Sequence, residues 1–281
     1  MENNYKKLTE EIRGFAFELL KDGKVDRVIG YGKEEYSGEV TPLFITAPDE
    51  SNRLIFNSEC SMLLAKYLLN YRESRVAIVA KPCDTRAIAS YLAENLLKRE
   101  NLVIIGINGC PGITGNTACI ECTVRNPVIF DFTAGEAIDK AELSPRVANE
   151  LEEMTAAERL AYFQEEFSRC IRCYACREAC YVCYCEECFT DSNQPFWVGG
   201  SVKLKDNFTF HLMRSMHMAG RCINCGACEM ACPEGIDVRA LPAKLTRVAR
   251  ELYNYEAGMD PEQKTLLTDY DVNDPQPGFL D

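Results

Sequence analysis

The chain has 281 residues, enough to bury a sizeable core and to fold as two units. Its formal net charge of −12 excludes nucleic acid, which needs a basic face, and docking on an anionic membrane surface. Sixteen cysteines against two histidines depart sharply from ordinary globular usage. The start, MENNYKK, lacks the basic and apolar regions of a secretory signal, and the apolar stretch LVIIGI at 102–107 is too short to span a bilayer. The expected location is the cytoplasm, where clustered cysteines read as metal ligands rather than disulfides.

In chain order, Leu8, Ile12, Phe15, Leu19 and Leu20 recur at helical spacing, and KDGK ends that helix. VDRVIGY at 25–31 reads as a strand, and LFIT at 43–46 and RLIF at 53–56 as short strands. Residues 59–71 read as a helix. RVAIVA at 75–80 is a buried strand, followed by a loop KPCDT, a helix from about Arg86 to Leu97, the strand LVIIGI and the loop NGCPG. Strand, helix and strand at this spacing form a βαβ unit with a right-handed crossover. Residues 1–135 are therefore an α/β domain with a mostly parallel sheet. Residues 136–168, rich in Glu and Ala, are a helical connector, and 241–281 a C-terminal tail, acidic and proline-bearing, expected along the surface or against a partner.

Eleven of the cysteines fall between Cys170 and Cys232, which marks a second unit over 169–240. RCINCGACEMACPEGIDV places Cys222, Cys225, Cys228 and Cys232 as C-x₂-C-x₂-C-x₃-C-P, the bacterial ferredoxin run. In that run three cysteines wrap one cubane and the fourth ligates the other. Gly226, without a Cβ, is expected to let the backbone approach the cluster. Zinc fits less well, because structural zinc sites favour two separated C-x₂-C pairs. RCIRCYACREACYVCYCEEC repeats the spacing with Cys170, Cys173, Cys176 and Cys180. The exchange pairs Cys170, Cys173 and Cys176 with Cys232 in one [4Fe–4S] cluster, and Cys222, Cys225 and Cys228 with Cys180 in the second. Tyr181, not proline, follows Cys180, so Cys183 stands as an alternative fourth ligand; Cys185 and Cys188 have no assigned role. The insert 189–221 between the runs, with Trp197, Gly199 and Gly200, is expected to be a hairpin or loop pair. Its His211 and His217 read as solvent-facing or core histidines.

Cys83 and Cys110 lie just beyond the carboxyl ends of two strands of the βαβ unit, where α/β folds bind ligands. Cys119 and Cys122 form a C-x₂-C in the same loop as Cys110. Four thiols converging on one crevice make a candidate third [4Fe–4S] cluster; simply buried cysteines are the alternative. Cys60 is either a neighbour of that site or inert. No G-x-G-x-x-G follows a strand, and no catalytic triad, paired-carboxylate motif or phosphate loop stands out.

With KPCDTRAI, NGCP and the paired runs in view, the chain resembles the iron–sulfur β subunits of deazaflavin-reducing hydrogenases and formate dehydrogenases. Its closer likeness is to the dicluster proteins of anaerobic sulfite reductase and to the β subunit of archaeal sulfhydrogenase. The residues that carry it are Pro82-Cys83-Asp84, Cys170 to Cys185 and Cys222 to Asp237, within residues 25–240. The resemblance implies a small α+β ferredoxin-like 2[4Fe–4S] domain beside the α/β domain. It also implies a cytoplasmic electron-transfer subunit of an anaerobic redox complex rather than its catalytic subunit. Such a subunit relays electrons between a hydrogenase, formate dehydrogenase, reductase or heterodisulfide-reductase-like partner and a flavin subunit. One branch of these relatives binds FAD on this chain and the other puts the flavin elsewhere, so an FAD-containing subunit that reduces a soluble carrier is the alternative.

Overall fold

The computed structural model describes residues 2–113, 115–139, 151–266 and 272–273. Helix α1 (Glu2–Lys21) buries Leu8, Ile12, Ala16 and Leu19, one stripe at three- and four-residue spacing. Strands β1 (Arg27–Lys33), β2 (Val40–Ile45), β3 (Val76–Ala80), β4 (Leu102–Ile107) and β5 (Phe132–Ala134) form one sheet in the order β2-β1-β3-β4-β5. Only the β1–β2 pair is antiparallel. Every residue of β3 is buried, as a strand covered on both faces requires. Helix α1 packs on β1, β3 and β5, and α2 (Pro82–Ala93) on β3 and β4.

Several local expectations change. KPCDT is not a loop: α2 starts at Pro82, whose fixed φ and missing N–H suit a first helical turn. Asp84, two residues on, accepts the Lys81 N–H at 3.2 Å and the Ala65 N–H at 3.0 Å. Cys83 thus rides on the first turn of α2. RLIF forms a single bridge, Tyr31 to Ile55, rather than a strand. Side chains of α1 satisfy its backbone instead: Arg13 donates to Leu54 O at 2.8 Å, and Thr9 bonds both Phe56 N and O. Residues 59–71 form a 3₁₀ helix over Leu64–Tyr71 only.

The cysteine-rich part contains α3 (Ala156–Ser168), α4 (Ala175–Ala179), α5 (Leu204–His217), α6 (Ala227–Met230) and α7 (Ala240–Tyr253), and no strand among the described residues. Residues 140–150 of the expected connector lie outside the described residues, as do 267–271 and 274–281 of the tail. The insert is not a hairpin. Its core is α5, which buries Asn207, Phe210, His211, Arg214 and Ser215 on one helical face and packs on α3 and α7. The start of the tail is α7, and Tyr255 and Ala257 beyond it are buried, with Arg86 of α2 donating to Ala257 O at 2.7 Å.

Candidate metal centres

The two cysteine runs share one backbone design. Arg172 and Asn224, between the first and second cysteines of each run, are both left-handed, at φ 57° and 56°. Each sends its N–H back to the first sulfur, Arg172 to Cys170 Sγ at 3.4 Å and Asn224 to Cys222 Sγ at 3.3 Å. A second left-handed residue follows the middle cysteine, Tyr174 (φ 61°) in one run and Gly226 (φ 75°) in the other. The short helices α4 and α6 that follow pack together. Successive left-handed turns thus curl each run around its thiols and turn backbone donors towards the first of them.

The fourth cysteines cross over. The Cys170 and Cys176 thiols feel Cys173 and Cys232 electrostatically, and all four line one cavity with His211 and Pro233. Cys222, Cys225 and Cys228 each feel Cys180. Cys183 stands beside the buried Cys180, and their contact holds the Cys180 thiol below its ordinary value. The Cys180 thiol also lies 3.6 Å from Met218 Sδ. Cys185 is exposed, and Cys188 accepts from Thr190 Oγ1 at 3.3 Å.

Cys83, Cys110, Cys119 and Cys122 line a third cavity, at the carboxyl ends of β3 and β4, together with Cys225 of the second run. Cys83 feels both Cys110 and Cys225. The Ile113 N–H points at Cys119 Sγ at 3.4 Å. Beneath lies a buried Lys81–Asp84 ion pair at 3.0 Å, in which Lys81 also donates to Met62 O at 2.8 Å and to Tyr31. Burial works against the Lys81 charge, but Asp84, Tyr31 and Cys83 more than offset it, so Lys81 keeps its proton well above the lysine range. Cys60 is not part of this group. It is fully buried in the core, accepts from Asn57 N at 3.3 Å, and burial pushes its thiol up to about 11.

The loop that carries Cys119 and Cys122 is docked on the second run. Asn116 donates to Cys225 O at 3.0 Å, and Arg239 ties Glu121, Glu229 and Asn224 together at 2.8, 2.9 and 3.1 Å. This changes the role of Gly226: its bare Cα faces Asn116 and Ala118, not open space over a cluster.

Burial raises the thiols of Cys83, Cys110, Cys119, Cys170, Cys176, Cys222, Cys225 and Cys228, Cys225 to about 12. Such thiols stay protonated until a metal displaces the protons. What points to cubanes is the ferredoxin spacing of the two runs. His211, which sequence reasoning left without a role, lines the first cavity, stacks on Phe167 at 4.3 Å, and is drawn down to about 3 by burial and by Arg214 and Arg172.

Residues 217–236 match the 4Fe-4S binding domain family. The chain is 22% identical to the F420-dependent formate dehydrogenase subunit beta of Methanocaldococcus jannaschii, over 87% of its own length and 90% of the relative's. It is 36% identical to the F420-dependent formate dehydrogenase 1 subunit beta of Methanococcus maripaludis, over 37% of its own length and 26% of the relative's. No helix among the described residues is long and apolar enough to cross a membrane. The cysteine geometry and these relatives together support a likeness of the chain to the iron–sulfur β subunits of formate dehydrogenases.

Proposed function

We propose that the chain is the electron-transfer subunit of a multi-subunit oxidoreductase and holds three [4Fe–4S] clusters. Cys170, Cys173, Cys176 and Cys232 hold the first, Cys180, Cys222, Cys225 and Cys228 the second, and Cys83, Cys110, Cys119 and Cys122 the third. Bound cubanes supply one-electron chemistry. The observation that carries the reading is contiguity. Cys225 of the second quartet faces Cys83 of the third, and Arg214 faces thiols of both the first and the second. A relay needs adjacent centres and an end open to a partner. Here Cys173 and its neighbour Ile171 are exposed while Cys180 is buried, so the partner, a flavin or catalytic subunit, approaches at the first run.

Anaerobic iron analysis should give about twelve irons per chain, from four per cubane. About eight removes the third centre. A dithionite titration in which no centre changes oxidation state refutes the relay.

A second reading, an FAD-binding subunit that reduces a soluble carrier, is favoured by one cavity. Arg86, Arg239, Lys244, Arg247 and Arg250 gather around a pocket that Cys122 also lines, each paired there with Glu121, Glu152 or Glu256. A phosphate bound there would exchange with those carboxylates for the same guanidinium and ammonium donors. About one flavin per purified chain supports it, and none removes it.

A further inference from the structure

The charge in the interior that most needs explaining is Arg214, on the inward face of α5 and only 3% exposed. A guanidinium stays protonated in a protein, so this is a fixed buried cation. The other buried cations have visible partners. Arg86 pairs with Glu256 at 3.0 Å, Arg239 with Glu121 and Glu229, and Lys81 with Asp84. Arg172 lies 4.9 Å over the Phe210 ring. Among the described residues Arg214 has neither a carboxylate nor a ring. It donates to Cys176 O at 3.0 Å, its Nε has no partner, and the groups that favour its charge are Cys180, Cys228, Cys176 and Cys183.

An unpaired buried charge is among the costliest features a fold can carry. Protonated thiols do not relieve it; thiolates locked onto metal do. Cys176 belongs to the first quartet, and Cys180 and Cys228 to the second, so the cation stands between the two.

We propose that Arg214 is the shared countercharge of the two ferredoxin-run centres and sets their reduction potentials. The inference rests on the reading that those quartets hold cubanes. One-electron reduction, with dithionite as donor, adds one negative charge to a centre whose thiolates already make it negative. A fixed cation alongside stabilises that reduced form more than the oxidised one, and so raises the potential of both centres. Cys83, Cys110 and Cys119 of the third quartet respond to Lys81 instead, so that centre is the internal control.

The test is an anaerobic spectroelectrochemical titration of the full chain as wild type, Arg214→Gln and Arg214→Lys. The Gln variant should shift the midpoint potentials of the two run-held centres downward and leave the third in place, and Lys should restore most of the shift. A Gln variant with full iron and unmoved potentials overturns the inference. If Gln sheds iron, Lys decides: full iron at wild-type potentials supports a charge role, and loss of iron from Lys as well shows that Arg214 only ties α5 to the run. Wild-type iron content checks the underlying reading separately. Fewer than about eight irons per chain, at four per cubane, sinks that reading, whereas unmoved potentials in a loaded variant sink the inference alone.

Discussion

Gly226→Ala tests how the α/β domain is joined to the second run. A Cβ on Gly226 would overlap Asn116 Oδ1 and stand 2.7 Å from Ala118 Cβ, on a residue at φ +75°. The left-handed conformation alone costs a residue with a Cβ about 1–2 kcal/mol. Tyr174 already bears that cost at the same place in the first run, so the backbone is not the main obstacle. To clear the overlap Asn116 must move, which breaks its bonds to Cys225 O and from Ala118 N, both 3.0 Å. At about 0.5–1.5 kcal/mol each, these bring the total to about 2–5 kcal/mol. The strain falls on the loop between Cys110 and Cys122, so the variant should lose the iron held there, about four atoms per chain, and keep the rest. Gly235→Ala is the control: φ is +58° but a Cβ there meets nothing within 4 Å. It should cost only the backbone strain and release no iron. Iron and sulfide analysis with anaerobic thermal unfolding reads both. Full iron and an unchanged midpoint in Gly226→Ala would show that the loop is not docked as described.

Two further outcomes follow from the same geometry. Cys232→Ala should damage the centre held by Cys170, Cys173 and Cys176, not the one built on its own triplet. Selective loss of the other centre's paramagnetic signal would reverse the pairing. His211, drawn down to about 3, is neutral in the folded chain, whereas unfolding lets it take a proton below its ordinary value of 6.5. Its contribution is therefore complete above pH 6.5 and declines as pH falls towards 3, by about 1 kcal/mol between pH 6 and pH 5. His211→Phe, which preserves the stack on Phe167, should flatten that part of the unfolding profile, and an unchanged slope would assign it to other groups.

What the sequence made legible divides by the kind of signal. The βαβ unit was readable because β3 and β4 are near-continuous apolar runs and α2 separates them at the usual distance. The closeness of the first three cysteines within each run was readable from spacing, because two-residue gaps keep them within one tight loop. The start of α2 was missed although Pro82 and Asp84 announce it, since the loop-forming look of KPCDT outweighed the capping signal. Helix α5 was missed for a deeper reason. Its buried face is Asn207, Phe210, His211, Arg214 and Ser215, and its outward face carries Leu212, Met213 and Met216, all exposed. A search for apolar periodicity finds an amphipathic helix only when apolar residues point inward, and here the interior is a set of sulfur sites that favours cations and hydrogen-bond donors. The third cysteine group depended on bringing together residues separated by a strand and a loop, which no local pattern encodes.

The two runs are near-copies, and the places where the copy fails mark the contacts of each. Residue for residue, Tyr174 stands where the second run has Gly226 and Tyr181 where it has Pro233, while Ile171 and Ile223 are the same residue in different surroundings. Gly226 admits the Asn116 loop, which a side chain would exclude. Tyr181 replaces the proline because its ring packs 5.6 Å from Tyr91 of α2 and its carbonyl accepts the Tyr91 hydroxyl at 2.7 Å. A proline offers no such ring. Ile223 is 3% exposed, with Arg86 of α2 donating to its carbonyl, whereas Ile171 is 52% exposed. Both copies thus meet the α/β domain, the second through Gly226 and Ile223 and the first through Tyr181, but the first leaves the face of Ile171 open. The exposure of Ile171 and Cys173 follows from this broken symmetry, and it gives the chain one buried and one accessible end of the same cysteine design.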